Sequence, residues 1–291
     1  MLSSSRAGSV DILLAASLWG TTGTVRTFSA VGPIEGGAAK TILGGVLLAT
    51  FAARGGRLHA LLAGGRRTWV LLALGALCVA DFQLAFFAAV VRTGVATGTV
   101  VTIGSAPVLS GLFAGVLDRR RPSRRWLVST AAAVTGGALL VGGGQRAGVE
   151  PLGVGLALLS GLGYAAYATI AGRLIRAGAD DRAVIGSLFA GAAVLLLPAL
   201  VLGSLAPMAT VPGALVTLYL GVITTAVPYV LYARGLRSTP VPVATTLGLA
   251  EPAVAALLGL TVLGEHLAPI ALAGIALLAA ALVVLIAPGR H

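Results

Sequence analysis

The chain has 291 residues, of which 57% are apolar and only 10% charged, with a mean hydropathy of +1.00; soluble domains carry roughly 45–50% apolar and 25% charged residues, so a water-soluble fold is excluded. Ten membrane spans of about 20 residues each would use nearly all of it and leave no room for an extramembrane catalytic domain. Twenty basic against nine acidic residues give a net charge of +11, which is read below as a topology signal rather than as nucleic-acid binding.

In chain order, apolar runs between charged or Pro/Gly-rich breaks predict spans over Ile12 to Ser29, Ile34 to Ala53, Trp69 to Val91, Val95 to Leu117 and Trp126 to Gly142. Five more are expected over Leu152 to Ile175, Ala183 to Gly203, Gly213 to Gly235, Val241 to Leu263 and Pro269 to Ala287. The segment Met1 to Val10 has no apolar stretch ending in a small-residue cleavage site, so no removable signal peptide is expected. Trp69 and Trp126, at span starts, read as interfacial anchors. Cys78, the single cysteine, reads as a small buried apolar side chain. Gly94–Gly98 and Gly111–Gly115 read as close-packing pairs. Pro107 and Pro252, in the middle of spans, each remove a backbone donor and predict kinks.

Arginine content alternates between loops. With the N-terminus inside, sixteen of the twenty basic residues fall on the inner side and only Arg26, Lys40, Arg92 and Arg146 fall elsewhere. The positive-inside rule then gives an N-in, C-in arrangement in a bacterial cytoplasmic membrane. A shift of 145 residues superposes spans one to five on six to ten, with Trp19 on Tyr164, Glu35 on Asp180, Phe87 on Tyr232, Arg92 on Arg237 and Pro107 on Pro252. The expected units are therefore 1–146 and 147–291. Because five is odd, the second copy enters the membrane upside down, as an inverted repeat.

Three stretches carry a resemblance: SLWGTTGTVRTF in span one, FFAAVVRTGVATGTVVTIGSAPVLSGLFAG at spans three and four, and LGLAEPAVAALLGLTVLGEHL in span nine. In order and spacing they resemble the EamA-type drug/metabolite transporters, over essentially the whole chain. The specific pieces are Trp19-Gly20, Phe87-Ala88 with Arg92-Thr93, Glu251-Pro252 and Leu263-Gly264-Glu265. Lys40 departs from the arginine that the family often has there. The resemblance implies an all-α bundle of ten transmembrane helices that transports small metabolites, with export of amino acids among the activities of its members.

Ionisable groups inside spans cost roughly 2.5–3.5 kcal/mol at the bilayer centre, so Lys40, Asp81 and Glu251, with Arg26 nearer the outer end, should face a partner or water. By span direction a Lys40–Asp81 ion pair is expected, with Lys40–Glu251 as its rival; either serves as a helix staple or in coupling. The expected cavity lining is Trp19, Thr22, Gln83, Phe87, Thr99, Thr102, Tyr164, Tyr167, Thr225, Tyr229, Tyr232 and Thr245, a set of amphipathic rings and hydroxyls suited to a mostly apolar small-molecule site. Gln83 with Phe87, Thr99 with Thr102, and Thr225 with Tyr229 and Tyr232 should share helix faces. The bland reading of each is helix packing or interfacial anchoring.

Two motifs are set aside: the Gly161-Leu162-Gly163 stretch follows no strand, so it is not a dinucleotide loop, and Asp180-Asp181 lacks further acids for a metal. No cofactor or metal is expected. The expected partners are a small-molecule substrate and membrane lipids, with the chain a monomer or weak homodimer. An intramembrane lipid-modifying enzyme is the alternative, against which His59, His266 and His291 are scattered. A channel is disfavoured because no ring of like polar groups repeats.

Overall fold

A computed structural model describes residues 2–119, 122–142, 150–264 and 266–287. The arginines Arg120, Arg121, Arg146 and Arg290, and Glu265 and His291, lie outside them. Among the described residues the chain is helical, without strands. The helices are α1 (Leu2–Arg26), α2 (Pro33–Ala53), α3 (Arg57–Leu62), α4 (Gly65–Leu117), α5 (Arg124–Gly142), α6 (Pro151–Arg176) and α7 (Asp181–Val201), then α8 (Val211–Gly221), α9 (Val227–Gly235), α10 (Val241–Leu247), α11 (Ala250–Val262) and α12 (Pro269–Ile286). A π-helical turn, Val222–Ala226, joins α8 to α9. Eight segments are long and apolar enough to cross a membrane. Helices α1 and α5 occupy the first and fifth predicted positions without being among those eight. Exposed Val116, Val128 and Leu202 belong to an apolar outer surface that only lipid suits.

Helix α4 is 53 residues long. Straight, it would run about 80 Å, far beyond a hydrocarbon core of about 30 Å. It breaks at Gly94, whose φ of 81° and ψ of 159° are non-helical, a left-sided conformation that glycine adopts at no steric cost. The two arms fold back on α6, which bonds both: Ser160 Oγ donates to the Phe82 carbonyl at 2.8 Å, and Thr102 Oγ1 of the second arm donates to the Ala157 carbonyl at 3.1 Å. Gly94 is thus a corner, with open space where a side chain would be, which corrects its reading as a packing glycine.

The expected matched interruptions at Pro107 and Pro252 are unequal, and only the second breaks its helix. Helix α4 continues through Pro107. Pro252 has no N–H for the Gly248 carbonyl and its ring would crowd that group, so the helix breaks there into α10 and α11, and Glu251 N–H takes over the Gly248 carbonyl at 3.0 Å.

Packing follows a reciprocal pattern. Helix α1 packs on α9 and α11, while α6 packs on the arms of α4; α2 crosses α7, and α5 crosses α12. At the α2–α7 crossing, Gly45 approaches the Phe189 carbonyl and Gly186 the Leu48 carbonyl, so closely that a Cβ would lie 2.5 and 2.8 Å from those oxygens. Gly136 and Gly274 make the same mutual approach between α5 and α12.

One end of the bundle is rich in arginine ion pairs. Arg57 of α3 pairs with Asp180 at 3.4 Å, Arg173 of α6 with Asp118 at 3.8 Å and Arg237 with Asp181 at 2.6 Å, and Arg234 of α9 forks onto Asp11 of α1. Asp180 also caps α7 by accepting from the Arg182 and Ala183 amides. At the opposite end Arg92 pairs with Glu150 at 2.9 Å.

Candidate functional site

Nine aromatic rings from five helices form one connected cluster in the middle of the bundle. Trp19 of α1 lies 5.1 Å from Tyr229 and 5.5 Å from Tyr232 of α9. Tyr232 reaches Tyr164 of α6 at 6.4 Å, which stacks on Tyr167 at 5.4 Å. Phe189 of α7 closes one side against Tyr229 at 4.0 Å and Tyr167 at 6.4 Å. Phe82 meets both Tyr164 and Tyr167, and leads through Phe86 to Phe87. Offset and edge geometries of this kind add about 0.5–1.5 kcal/mol per pair beyond area burial. The Tyr167 and Tyr229 hydroxyls hydrogen-bond at 3.4 Å and the Tyr164 and Tyr232 hydroxyls face each other, whereas the Trp19 indole N–H is buried with no hydrogen-bond partner among the described residues. Such groups are costly and uncommon away from sites of function.

Charge meets this cluster along α2 and α11. Phe87 is buried, its ring lying on Gly37, where a Cβ would collide with it. Arg26 Cζ stands 5.4 Å from the ring centroid and Lys40 Nζ 5.9 Å from it. Gln83, one turn before Phe87, donates to the hydroxyl of Thr41, one turn after Gly37. Gln83 and Phe87 therefore share a face, as their spacing predicts, and it is the face on α2.

That fact corrects the Lys40–Asp81 pair. Asp81 lies two residues, hence about 200° of helix rotation, from Gln83, so it turns away from α2 and sets its carboxylate against Gly163 of α6. Among the described residues no carboxylate lies within 4 Å of Lys40 Nζ. The acid within its electrostatic reach is Glu251, which also acts on Tyr164 and Tyr229. The expected rival, a Lys40–Glu251 ion pair, is not formed either: the two groups interact electrostatically without a contact within 4 Å.

Three of the hydroxyls expected to line a cavity, those of Thr102, Thr225 and Thr245, are engaged in helix packing. Thr102 is bonded to α6 as described. Thr225 donates to the Leu220 carbonyl across the π turn, and its methyl group fills the space above Gly44; the wider turn rotates it off the Tyr229–Tyr232 face. Thr245 bonds Ser110 of α4 at 2.7 Å. Thr22 and Thr99 are partly exposed. Trp126 is buried rather than interfacial, lying over Gly111 and donating to the Pro242 carbonyl at 2.9 Å. Trp69 is 52% exposed, as an anchor would be.

Open space lies at the arginine-rich end. A cavity of about 840 Å³ is lined by Ser110, Trp126, Thr169, Arg173, Arg237 and Val241 among others. A second, of about 440 Å³, is an apolar groove between α2 and α9. None of the twelve expected lining residues borders either one. The floor of the larger cavity is α10: Val241 borders it, while Gly248, seven residues on, touches the Tyr164 hydroxyl. Helix α6 joins them more closely, Thr169 bordering the cavity two residues after Tyr167. Phe82, Phe86 and Phe189 join the site beyond the sequence-derived lining, together with Arg26, which the sequence had marked only as a charged span residue. An i, i+4 phenylalanine pair and a charge at a span end were the available signals.

The profile of the EamA-like transporter family matches residues 7–142 and again 151–287. An uncharacterised transporter of Bacillus subtilis, YwfM, is 37% identical over 286 residues, covering 97% of this chain and 94% of its own. An uncharacterised inner membrane transporter of Salmonella typhimurium, YicL, is 28% identical over 272 residues, covering 90% and 89%. A solved crystal structure superposes with a TM-score of 0.80 at 18% identity, over 95% of both chains, a likeness of fold. With both halves matched and the apolar helices in place, the chain is a multi-pass membrane transporter and belongs to the EamA-like transporter family.

Proposed function

We propose that this protein is a secondary transporter that exports amino acids or similar small amphipathic metabolites by alternating access between two inverted five-helix halves, 1–146 and 147–291. The observation that carries the reading is the buried cluster of rings with Lys40 and Glu251, contributed by helices of both halves and flanked by a cavity at one end. The twofold profile match and the reciprocal crossings of α2 with α7 and of α5 with α12 support the repeat. Counting α1 and α5 as crossings makes ten.

The gathering of Arg57, Arg173, Arg234 and Arg237 at one end supports an N-in, C-in orientation with that end, and its cavity, in the cytoplasm. The printed name of YicL supports the inner membrane. Reporter fusions at Ala147 and His291 should read periplasmic and cytoplasmic; the same side for both overturns the ten-span arrangement. Counterflow by purified protein in liposomes against a panel of amino acids and cationic drugs tests the transport reading, which fails if no amino acid exchanges. Glu251→Gln separates coupling from structure: uphill transport on a pH gradient is lost while exchange persists if Glu251 carries the proton. Loss of folded protein assigns it to structure.

A further inference from the structure

We infer that Arg26 and Lys40, with Phe87 between them, form the site for the carboxylate of the transported molecule, so that the substrates are carboxylate-bearing metabolites with an apolar body rather than cations. The inference deepens, and rests on, the transporter reading of the same cluster.

Two cations share one buried ring. The Arg26 guanidinium and the Lys40 ammonium each lie within 6 Å of the Phe87 centroid, the range of cation–π attraction. Neither has a carboxylate within 4 Å among the described residues. Like charges around one ring repel, and in low dielectric that repulsion is weakly screened. The acid in reach, Glu251, offsets one of the two. The remaining positive charge calls for an anion.

Hydrogen-bonding capacity points the same way. Trp19 lies two turns before Arg26 on one face of α1, and Gly20 beside it touches the Glu251 carbonyl. The Trp19 indole N–H, buried with no partner among the described residues, can only donate. A carboxylate can only accept. Charge-assisted bonds from such donors are about twice as strong as neutral ones, and the rings supply the surface for an aliphatic or aromatic body. A cationic drug would meet two like charges at Phe87, with Glu251 the acid in reach.

Thermal shift of the purified protein tests this with three probes of one carbon skeleton: L-leucine, 4-methylpentanoate, which lacks the amine, and 3-methylbutylamine, which lacks the carboxylate. Both carboxylates should stabilise the protein and the amine should not. Lys40→Gln should weaken the leucine effect about tenfold or more, Lys40→Arg should retain most of it, and Arg26→Gln should weaken it if Lys40→Gln does not fold. The inference is overturned if the amine binds as well as leucine, if neither carboxylate binds, or if both neutral variants bind leucine as the wild type does. Exchange of a carboxylate-free solute in liposomes would remove this inference while leaving the transporter reading intact. Carboxylate binding without exchange of any solute would do the reverse.

Discussion

At the arginine-rich end, cations pair with aspartates and leave a cavity of about 840 Å³ between them. Around Phe87, the Arg26 and Lys40 cations have no carboxylate within 4 Å among the described residues. Arg57 and Asp180 are 40% and 29% exposed, so their attraction is spent mostly against water. Arg26 and Lys40 are also only partly exposed, yet have no such pairing, and the Trp19 indole N–H of the neighbouring cluster is buried without a partner among the described residues. Charge pairing is satisfied where it is cheap and withheld where it would be strong, which separates an architectural end from a region organised for a visitor.

The contrast breaks first on accessibility. On a Cys78→Ala background, a cysteine at Ser123, which borders the cavity, should react with a polar thiol reagent about 100-fold faster than one at fully buried Thr102. Equal rates would mean that the middle opens as freely as the end. Next in size is Tyr229→Ala, which removes a ring touching Trp19, Tyr167 and Phe189. It should cost about 3–5 kcal/mol, lowering Tm on the order of 10 °C. Gly111→Leu puts a side chain where Cβ alone is 2.4 Å from the Trp126 ring; overpacking of this kind costs about 1–3 kcal/mol, a few degrees by the same measurement. Smallest is Arg57→Ala, expected to change stability by less than about 1 kcal/mol. A larger loss from Arg57→Ala than from Tyr229→Ala would reverse the ranking of the two regions.

The positions of the helices were legible because apolar runs and their breaks are one-dimensional quantities, and the predicted span Ile34 to Ala53 differs from α2 by a single residue. Rotation about the helix axis was legible only in part. The i, i+4 spacing put Gln83 and Phe87 on one face, but nothing in the sequence says which neighbour that face meets. Lys40 was therefore matched with Asp81 until the Gln83–Thr41 bond fixed the rotation. Thr225 was misjudged because a π turn changes the register and carries no clear residue signature. Gly94 had two readings, close packing or a positive φ, and a glycine symbol alone does not choose between them. Trp126 looked interfacial from its place at a span start, although its indole faces the Pro242 carbonyl on α10.

The Gly94 corner also bears on how the chain is made. The two arms of α4 meet at a glycine with no polar segment between them, so the ribosome delivers about 50 largely apolar residues without a hydrophilic pause at which one crossing could finish before the next begins. Partition of the first arm into lipid alone would leave its tip, Arg92-Thr93, without the Glu150 carboxylate that arrives some 58 residues later. The pair is therefore expected to leave the translocon together as a helical hairpin, and a bulkier residue at position 94 would show its damage in membrane insertion before it showed in transport.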